Sequence, residues 1–320
     1  MKKIFAIVAC MIFLVASIAI TQEQPLEQTQ PSMPSQEQQV PSPVDERFQK
    51  ANEWLNQNNL SVTGSSSDAF RSGYILVVGE GLPKEGTVSA GKKRITAERA
   101  AEVMAYRKLA EFLDGVAVVG DSLVKDASLE YDIVRTAVAG FVKGAQVVYK
   151  EYSKEEEIAL VIMKVGMTGP GSFADALYGK ILKPELKKDL VEPQPSTEYK
   201  TQPIPLDEKH DGLIVDATEQ NFRPALINRI FTQQGEVIYD PSKVSQKVLV
   251  EEGCGEYTNS VDKAKAALEQ RGTKNPLIIK AVGTVSPSDL QISDDDAVRI
   301  FSANQKANFL ASAKVAFVLR

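Results

Sequence analysis

Residues 91–115 constrain the fold more than any other stretch of this chain. Their apolar side chains recur at the 3.6-residue spacing that is typical of one face of an α-helix. Most of that face is alanine, so the predicted helix can lie very close to the surface that it covers. Thr96 is the expected N-cap, and Gly115 is the expected residue just past the helix C-terminus. The apolar positions are Ala97, Ala100, Ala101, Met104, Ala105, Leu109, Phe112 and Leu113.

Length and composition are those of an ordinary soluble globular protein. The chain has 320 residues, enough for two domains with tails, and it is 43% hydrophobic and 25% charged. Its formal net charge is −5. The densest basic cluster is Lys92-Lys93-Arg94, which a solvated helix start explains. A mildly acidic chain of this kind is not expected to bind nucleic acid.

The N-terminus has the pattern of a secretion signal. Lys2 and Lys3 precede an apolar run over residues 4–20, and Ser17 and Ala19 provide the small side chains that favour cleavage after Ala19. An uncleaved anchor is the alternative, because the run is close to the shortest length that spans a bilayer. The sequence therefore predicts a periplasmic product, with outer-membrane association left open.

The cysteine and histidine content leaves little scope for conventional catalysis. Cys10 lies in the middle of the apolar run, which does not predict lipidation, and Cys254 is then the only thiol of the processed chain. Acidic neighbours such as Glu252 would raise the pKa of the Cys254 thiol, so an activated nucleophile is not expected. His210 is the one histidine and lies at a predicted linker–domain junction. We expect no catalytic, cofactor-binding or metal-binding residues, no cofactor, and no enzyme activity.

Two further patterns have simpler explanations than ligand binding. Gly79 and Gly81 follow a predicted strand, but Leu82-Pro83 and the lack of a correctly spaced third glycine break the dinucleotide-binding pattern. The acidic residues 294–296 precede a predicted helix. Carboxylates at that position complement the helix dipole, whereas a calcium loop would need a glycine turn and a later glutamate.

The sequence predicts an α+β protein with two small domains. Each is expected to have an antiparallel or mixed sheet with helices packed on one face. The predicted segments are a signal peptide (1–19), a disordered Gln/Pro-rich tether (20–45), a short helix and loop (46–72), an N-terminal α+β domain (73–168), a Pro-rich linker (169–208) and a C-terminal α+β domain (209–320).

Local patterns predict several elements within these segments. Trp54 is expected to dock a short amphipathic helix onto the first domain, and residues 61–72 are expected to form a loop. Residues 145–152 and 158–165 predict an antiparallel strand pair. The remaining predictions are a bend at 140–144, a hairpin formed by 226–231 and 235–239, and one long strand at 275–285.

The helix stretch also resembles a known family. Residues 95–116 and 140–148 resemble the N-terminal domain of bacterial flagellar assembly protein T and of the related Lpp-twenty lipoproteins. The likeness covers about residues 73–168. Residues 212–217, 223–226, 235–239 and 275–280 are similar to the C-terminal region found in relatives of these proteins.

This resemblance implies a cell-envelope assembly protein, since some members ring the flagellar basal body. The expected function is that of a non-catalytic periplasmic or envelope structural protein. Its partners would be other envelope or flagellar basal-body proteins, or a second copy, with membrane contact only through an uncleaved leader. The alternative is a binding module that takes a small ligand or a cell-wall polymer in the cleft between the domains.

Overall fold

A computed structural model describes residue 44 and residues 47–191 and 197–320. The predicted signal peptide and almost all of the predicted tether lie outside the described residues. Two halves, residues 47–191 and 197–320, are called the N-terminal half and the C-terminal half below.

The N-terminal half contains a three-stranded antiparallel sheet and a two-stranded ribbon with surrounding helices. Its elements are α1 (Gln49–Gln57), α2 (Ser66–Ser72), β1 (Tyr74–Gly81), α3 (Ala90–Asp114), β2 (Ala117–Val119), β3 (Ser122–Leu123), α4 (Val124–Glu130), α5 (Asp132–Lys143), β4 (Gln146–Ser153), β5 (Ile158–Gly166), α6 (Phe173–Ile181) and α7 (Pro184–Leu186). The main sheet has the order β1-β5-β4, and β2 pairs with β3. The predicted antiparallel pair is therefore confirmed as β4 and β5.

The alanine face of α3 lies directly on β1, as its composition predicts. Ala97, Ala101 and Ala105 are buried. Two glycines of β1 permit this approach: a Cβ atom on Gly79 would lie 2.1 Å from the Ala101 carbonyl oxygen, and one on Gly81 would lie 2.2 Å from the Ala101 amide nitrogen. These glycines let two backbones meet, which is a structural role that explains them without a bound nucleotide.

The structure corrects the predicted N-terminal end of this helix and confirms the predicted C-terminal end. The helix begins at Ala90 after Ser89, so Thr96 is not its N-cap. Thr96 lies in the second turn, where its hydroxyl donates to the Lys92 carbonyl at 2.8 Å. Gly115 directly follows the last helical residue, as predicted, and has φ −86°.

Helix α1 covers the other face of the main sheet. Phe48, Ala51 and Leu55 are buried with Leu76 of β1 and other apolar side chains of β5. Trp54 contacts the Tyr149 ring with centroids 5.3 Å apart. The predicted docking of this helix through Trp54 is confirmed.

The C-terminal half contains two four-stranded sheets. Its elements are β6 (Gly212–Asp216), β7 (Arg229–Thr232), β8 (Val237–Tyr239), α8 (Gln246–Glu252), β9 (Glu256–Thr258), α9 (Val261–Gln270), β10 (Pro276–Lys280), β11 (Gly283–Ser286), β12 (Asp289–Ile292), α10 (Asp294–Ala307) and β13 (Val315–Val318). One sheet is entirely parallel, in the order β10-β6-β13-β9, and α9 packs on one of its faces. The other is mixed, in the order β11-β12-β7-β8, and includes the predicted hairpin as β7 and β8.

A buried ion pair joins two strands of the mixed sheet. The Arg229 guanidinium on β7 donates to both carboxylate oxygens of Asp289 on β12, at 3.0 and 2.6 Å. The side chains are 15% and 1% exposed. Ser286 donates a further hydrogen bond to the same carboxylate at 2.8 Å.

The helices and the antiparallel, mixed and parallel sheets of the two halves confirm the predicted α+β fold class.

Three local predictions are wrong. Residues 61–72 are not all loop, because Ser65 caps the short helix α2 with its hydroxyl. Residues 140–144 are not a bend, because α5 runs on to Lys143. Residues 275–285 are not one strand: the Ala281 amide bonds to the Asp216 carbonyl of one sheet, whereas the Val282 amide bonds to the Gln291 carbonyl of the other. The chain changes sheets between these two residues.

The largest buried cluster extends through both halves, from Ala69 to Leu319. Helix α6 lies within it, with Phe173, Leu177 and Ile181 fully buried. The described residues accordingly belong to one compact unit.

Candidate functional site

Backbone hydrogen bonds join the two halves directly. The Leu226 and Ile227 amides donate to the Ala117 and Val118 carbonyls of β2, at 3.1 and 2.9 Å. The Gly169 amide donates to the Val250 carbonyl at 2.7 Å. We call this set of contacts between the halves the junction. Because it uses backbone groups, it fixes the relative position of the two halves more tightly than side-chain contact alone.

Three buried tyrosines and the cysteine lie side by side at the junction. The Tyr178 hydroxyl on α6 donates to the Leu226 carbonyl across the junction. The Tyr239 hydroxyl donates to the Cys254 carbonyl at 2.7 Å, and the Tyr257 hydroxyl oxygen lies 3.1 Å from the Ala225 carbonyl oxygen. Tyr178, Tyr239, Tyr257 and Cys254 are called the tyrosine–cysteine cluster below.

Burial raises the pKa of every member of this cluster. The pKa of the Cys254 thiol is raised mainly by desolvation, and its hydrogen bond with Tyr257, at 3.0 Å, opposes that shift. The direction is the expected one, but burial is its main cause, not the neighbouring carboxylates. Desolvation also raises the pKa of Tyr178, Tyr239 and Tyr257 well above the ordinary tyrosine value. All four groups are protonated at neutral pH, so Cys254 is a poor nucleophile.

Asn228 connects one member of the cluster, Tyr257, to the surrounding backbone. Its side-chain oxygen accepts hydrogen bonds from the Tyr257 hydroxyl and from the Ala225 amide. Its side-chain nitrogen donates to the Ser288 carbonyl at 2.6 Å and to the Arg223 carbonyl at 3.1 Å. Both donors and both acceptor positions are used, which suits a structural role.

Arg271 lies beside the cluster and is fully engaged. Its Nε donates to Glu256 at 2.7 Å, and Glu252 Oε2 lies 3.3 Å away. One terminal nitrogen donates to the Ala313 carbonyl at 2.8 Å, and the other donates to the Glu252 carbonyl. This nearly buried cation therefore holds α8, β9 and the segment before β13 together.

A cavity of about 210 Å³ adjoins the cluster, with walls from both halves. The N-terminal half contributes the end of α2, the segment after β5 and α6, and the C-terminal half contributes the stretch from α8 to β9. Its charged walls are more acidic than basic, because three glutamates face two arginines. They are Glu251, Glu252, Glu256, Arg71 and Arg271.

A second, wide groove of about 640 Å³ lies between the end of α5, the start of β4 and α6. Two of its three ionic side chains, those of Lys164 and Asp175, have local contacts, and the third belongs to Lys180. Lys164 lies over the Tyr74 ring at 4.7 Å, and Asp175 accepts a hydrogen bond from the Gly171 amide at 2.9 Å. The groove holds no pair of reactive groups among its lining residues.

The single histidine contacts a backbone carbonyl outside the tyrosine–cysteine cluster. His210 is half-buried, and its Nδ1 is 3.3 Å from the Asn275 carbonyl oxygen. The acidic run at 294–296 begins α10, where the Ser293 hydroxyl caps the helix and also donates to Asp296 at 2.9 Å. The explanation of this run as a helix start is confirmed.

The described residues contain neither a metal-binding cluster nor a membrane-spanning helix. Within residues 44, 47–191 and 197–320, no group of three or more His, Cys, Asp or Glu side chains is arranged to hold a metal ion. Over the same ranges, each helix is too short or too polar to cross a bilayer.

One family matches part of the chain. Residues 212–320 match the second domain of Treponema pallidum Tp0624. The matched segment runs from the first residue of β6 to Arg320, so it includes both sheets of the C-terminal half and most of the tyrosine–cysteine cluster. No curated protein matches the chain.

The tyrosine–cysteine cluster has no signature in the sequence. Tyr178, Asn228, Tyr239 and Tyr257 are far apart along the chain and form no motif, so only the folded structure brings them together. Gly253 and Gly255 on either side of Cys254 were the one local signal. Gly253 has φ +73°, and a Cβ atom on Gly255 would lie 2.9 Å from the Phe317 ring, which indicates a tightly packed turn.

Proposed function

We propose that this chain is a non-catalytic structural or assembly protein of the bacterial cell envelope, associated with the flagellum as the family resemblance implies. The junction is the observation that carries this proposal. A scaffold must hold its binding surfaces at fixed relative positions, and the junction provides that rigidity through backbone hydrogen bonds and buried tyrosines.

The use made of the reactive side chains supports the same proposal. The Cys254 thiol is buried and protonated, and its hydrogen bonds go to groups that position the two halves. The nearby cation, Arg271, is held by two glutamates and two backbone carbonyls. The Cys254 thiol and the Arg271 guanidinium are therefore both occupied by contacts that stabilise the fold.

A complementation assay tests the scaffold role. We expect the double variant His210→Ala, Cys254→Ala to be exported, to fold and to complement a deletion strain fully. Loss of complementation by a stable, correctly exported double variant would mean that one of these residues acts chemically. Crosslinking of whole envelopes followed by capture of this protein should then recover other envelope or basal-body proteins, or a second copy.

The envelope location rests on the leader and on the resemblance. We expect the mature protein to begin near Ile20, which N-terminal sequencing of the exported protein measures directly. Recovery of a lipid-modified Cys10, or of the intact leader in membranes, would contradict this processing.

A ligand-binding module is the second candidate, and the cavity at the junction favours it. The acidic excess on its walls suits a small ligand with an amino or amide group, such as an amino acid or a cell-wall peptide fragment. Calorimetric titration with such fragments should detect binding that Thr168→Trp, at the cavity wall, abolishes. Absence of heat with every fragment would remove this candidate and leave the scaffold role intact.

A further inference from the structure

The first fourteen residues of α3 and the loop before the helix expose several large apolar side chains. Leu82 is 62% exposed, Val88 92%, Ile95 66% and Val103 52%. Single exposed apolar residues are common on proteins, but four within one short segment form a patch that suits a partner. The Lys84 amide donates to the Thr96 hydroxyl at 3.1 Å, so the loop lies against the helix and contributes to the same surface.

Basic residues alternate with the apolar ones along the helix. Positions three or four apart lie on one stripe of a helix. The stripe on the side of α3 that faces away from the sheet consists of Lys92, Ile95, Arg99, Val103 and Arg107, all of them exposed. We call it the basic–apolar stripe. The opposite side of the helix is the buried alanine face.

The charge of this region differs from that of the whole protein. Residues 84–108 contain seven basic and three acidic side chains, although the chain carries a net charge of −5. Lys93 and Arg94 pair with Glu157 and Glu98. Lys92 and Arg99 form no ion pair with any residue that the structure describes, so their charges are available to a partner.

The shape and chemistry together favour a lipid surface. The stripe runs along the exposed side of a 25-residue helix, so its basic and apolar groups share one extended face. Exposed apolar side chains among basic ones suit a surface that offers apolar acyl chains below anionic headgroups, and a bilayer offers both in one plane. We propose that the basic–apolar stripe, with Leu82 and Val88, binds the surface of an anionic membrane. This goes beyond the scaffold role and applies whether or not the leader is cleaved.

A fluorescent probe at the patch tests the contact directly. In a protein that begins at Ile20 and therefore lacks Cys10, a Val88→Cys variant can be labelled there with an environment-sensitive dye, because the native Cys254 is buried and poorly reactive. The matched control carries the dye at Val285→Cys, an exposed valine on β11. With vesicles of phosphatidylethanolamine and phosphatidylglycerol, we expect emission at position 88 to rise and shift to the blue, and emission at position 285 to stay constant. Pure phosphatidylcholine vesicles should give little change at either position.

Charge and apolar variants identify the groups responsible. Lys92→Glu with Arg99→Glu should weaken partitioning to the anionic vesicles by about tenfold or more, and Ile95→Ser should weaken it without changing its salt dependence. Lys247→Glu with Lys265→Glu, on exposed positions of α8 and α9, makes the same charge change elsewhere and should have little effect.

Three results would overturn the proposal: no response to anionic vesicles, equal responses at positions 88 and 285, or equal losses of binding in both charge variants. Binding of an acidic protein or nucleic acid without vesicle binding would overturn it as well.

Discussion

The distance between β1 and α3 is set by single residues. Gly79 and Gly81 present bare backbone to the backbone of the helix, so no side chain separates the two elements at these positions. Elsewhere in the core, side-chain volume keeps elements apart, and small changes in that volume are tolerated only where neighbours can move. Here the neighbours are main-chain atoms of a long helix, which cannot move independently.

Replacing Gly79 by alanine should therefore destabilise the protein. The new Cβ atom would meet the Ala101 carbonyl oxygen and the Ala105 amide nitrogen at 2.1 and 2.4 Å, so we expect the free energy of unfolding to fall by about 1–3 kcal/mol. Gly140→Ala is the matched control: its Cβ atom meets nothing within 4 Å inside α5, and we expect a gain of about 0.5–1 kcal/mol. Urea unfolding measures both. Equal changes in the two variants would contradict the close approach of β1 and α3.

The raised pKa values of the tyrosine–cysteine cluster predict a loss of stability in alkali. These groups are neutral when protonated, and their pKa is higher in the folded than in the unfolded protein. The unfolded chain therefore loses its protons first as the pH rises. Stability from this source is complete below the unfolded pKa values, about 8.5 for cysteine and about 10 for tyrosine, and falls above them.

Melting temperatures measured across pH test this. We expect a constant value from about pH 7 to about pH 8, a decline above about pH 8.5 and a steeper decline above about pH 10. Cys254→Ala should remove the first part of the decline and keep the second. A melting temperature that does not change up to about pH 11 would show that these groups titrate alike in the folded and unfolded protein.

Individual elements differ in how far the sequence predicted them. Helix α3, the β4–β5 pair and the β7–β8 hairpin form between residues that are close together in the sequence. Local residue patterns are therefore sufficient to predict them. Residues 275–285 looked like one strand because β-branched and apolar residues continue through the change of sheet at 281–282. That change depends on Asp216 and Gln291, which lie far away in the sequence. The tyrosine–cysteine cluster was missed for the same reason, whereas the packing role of the alanine face was local and was predicted.

A buried ion pair connects two strands of the mixed sheet. Asp289→Asn would remove the carboxylate charge beside the Arg229 guanidinium between β7 and β12, and we expect a loss of about 1–3 kcal/mol in the free energy of unfolding. Glu219→Gln removes an exposed pair with Lys280 and should change it by about 0–1 kcal/mol. Urea unfolding of both variants checks the contrast. A cost for Asp289→Asn as small as that for Glu219→Gln would mean that the buried pair contributes no more than a surface pair.

At the scale of the whole molecule, the junction makes the two halves one body. Main-chain bonds from residues 226 and 227 to β2, the Tyr178 hydrogen bond to Leu226, and a continuous apolar cluster all cross it. The scaffold role depends on this rigidity, since an envelope protein whose halves moved independently could not hold partners at fixed positions. The cavity at the junction would then have walls that do not move apart.

Denaturant unfolding observed separately in each half tests this central claim most directly. Trp54 is the single tryptophan, and its fluorescence reports on the N-terminal half through its contact with Tyr149. Hydrogen exchange of peptides from β6 and β13, read by mass spectrometry, reports on the C-terminal half. We predict coincident transitions, and a shift of both to lower denaturant in Tyr178→Phe, which removes a hydrogen bond across the junction. Two separate transitions, or a Tyr178→Phe shift confined to one half, would contradict the claim that the halves form one rigid body.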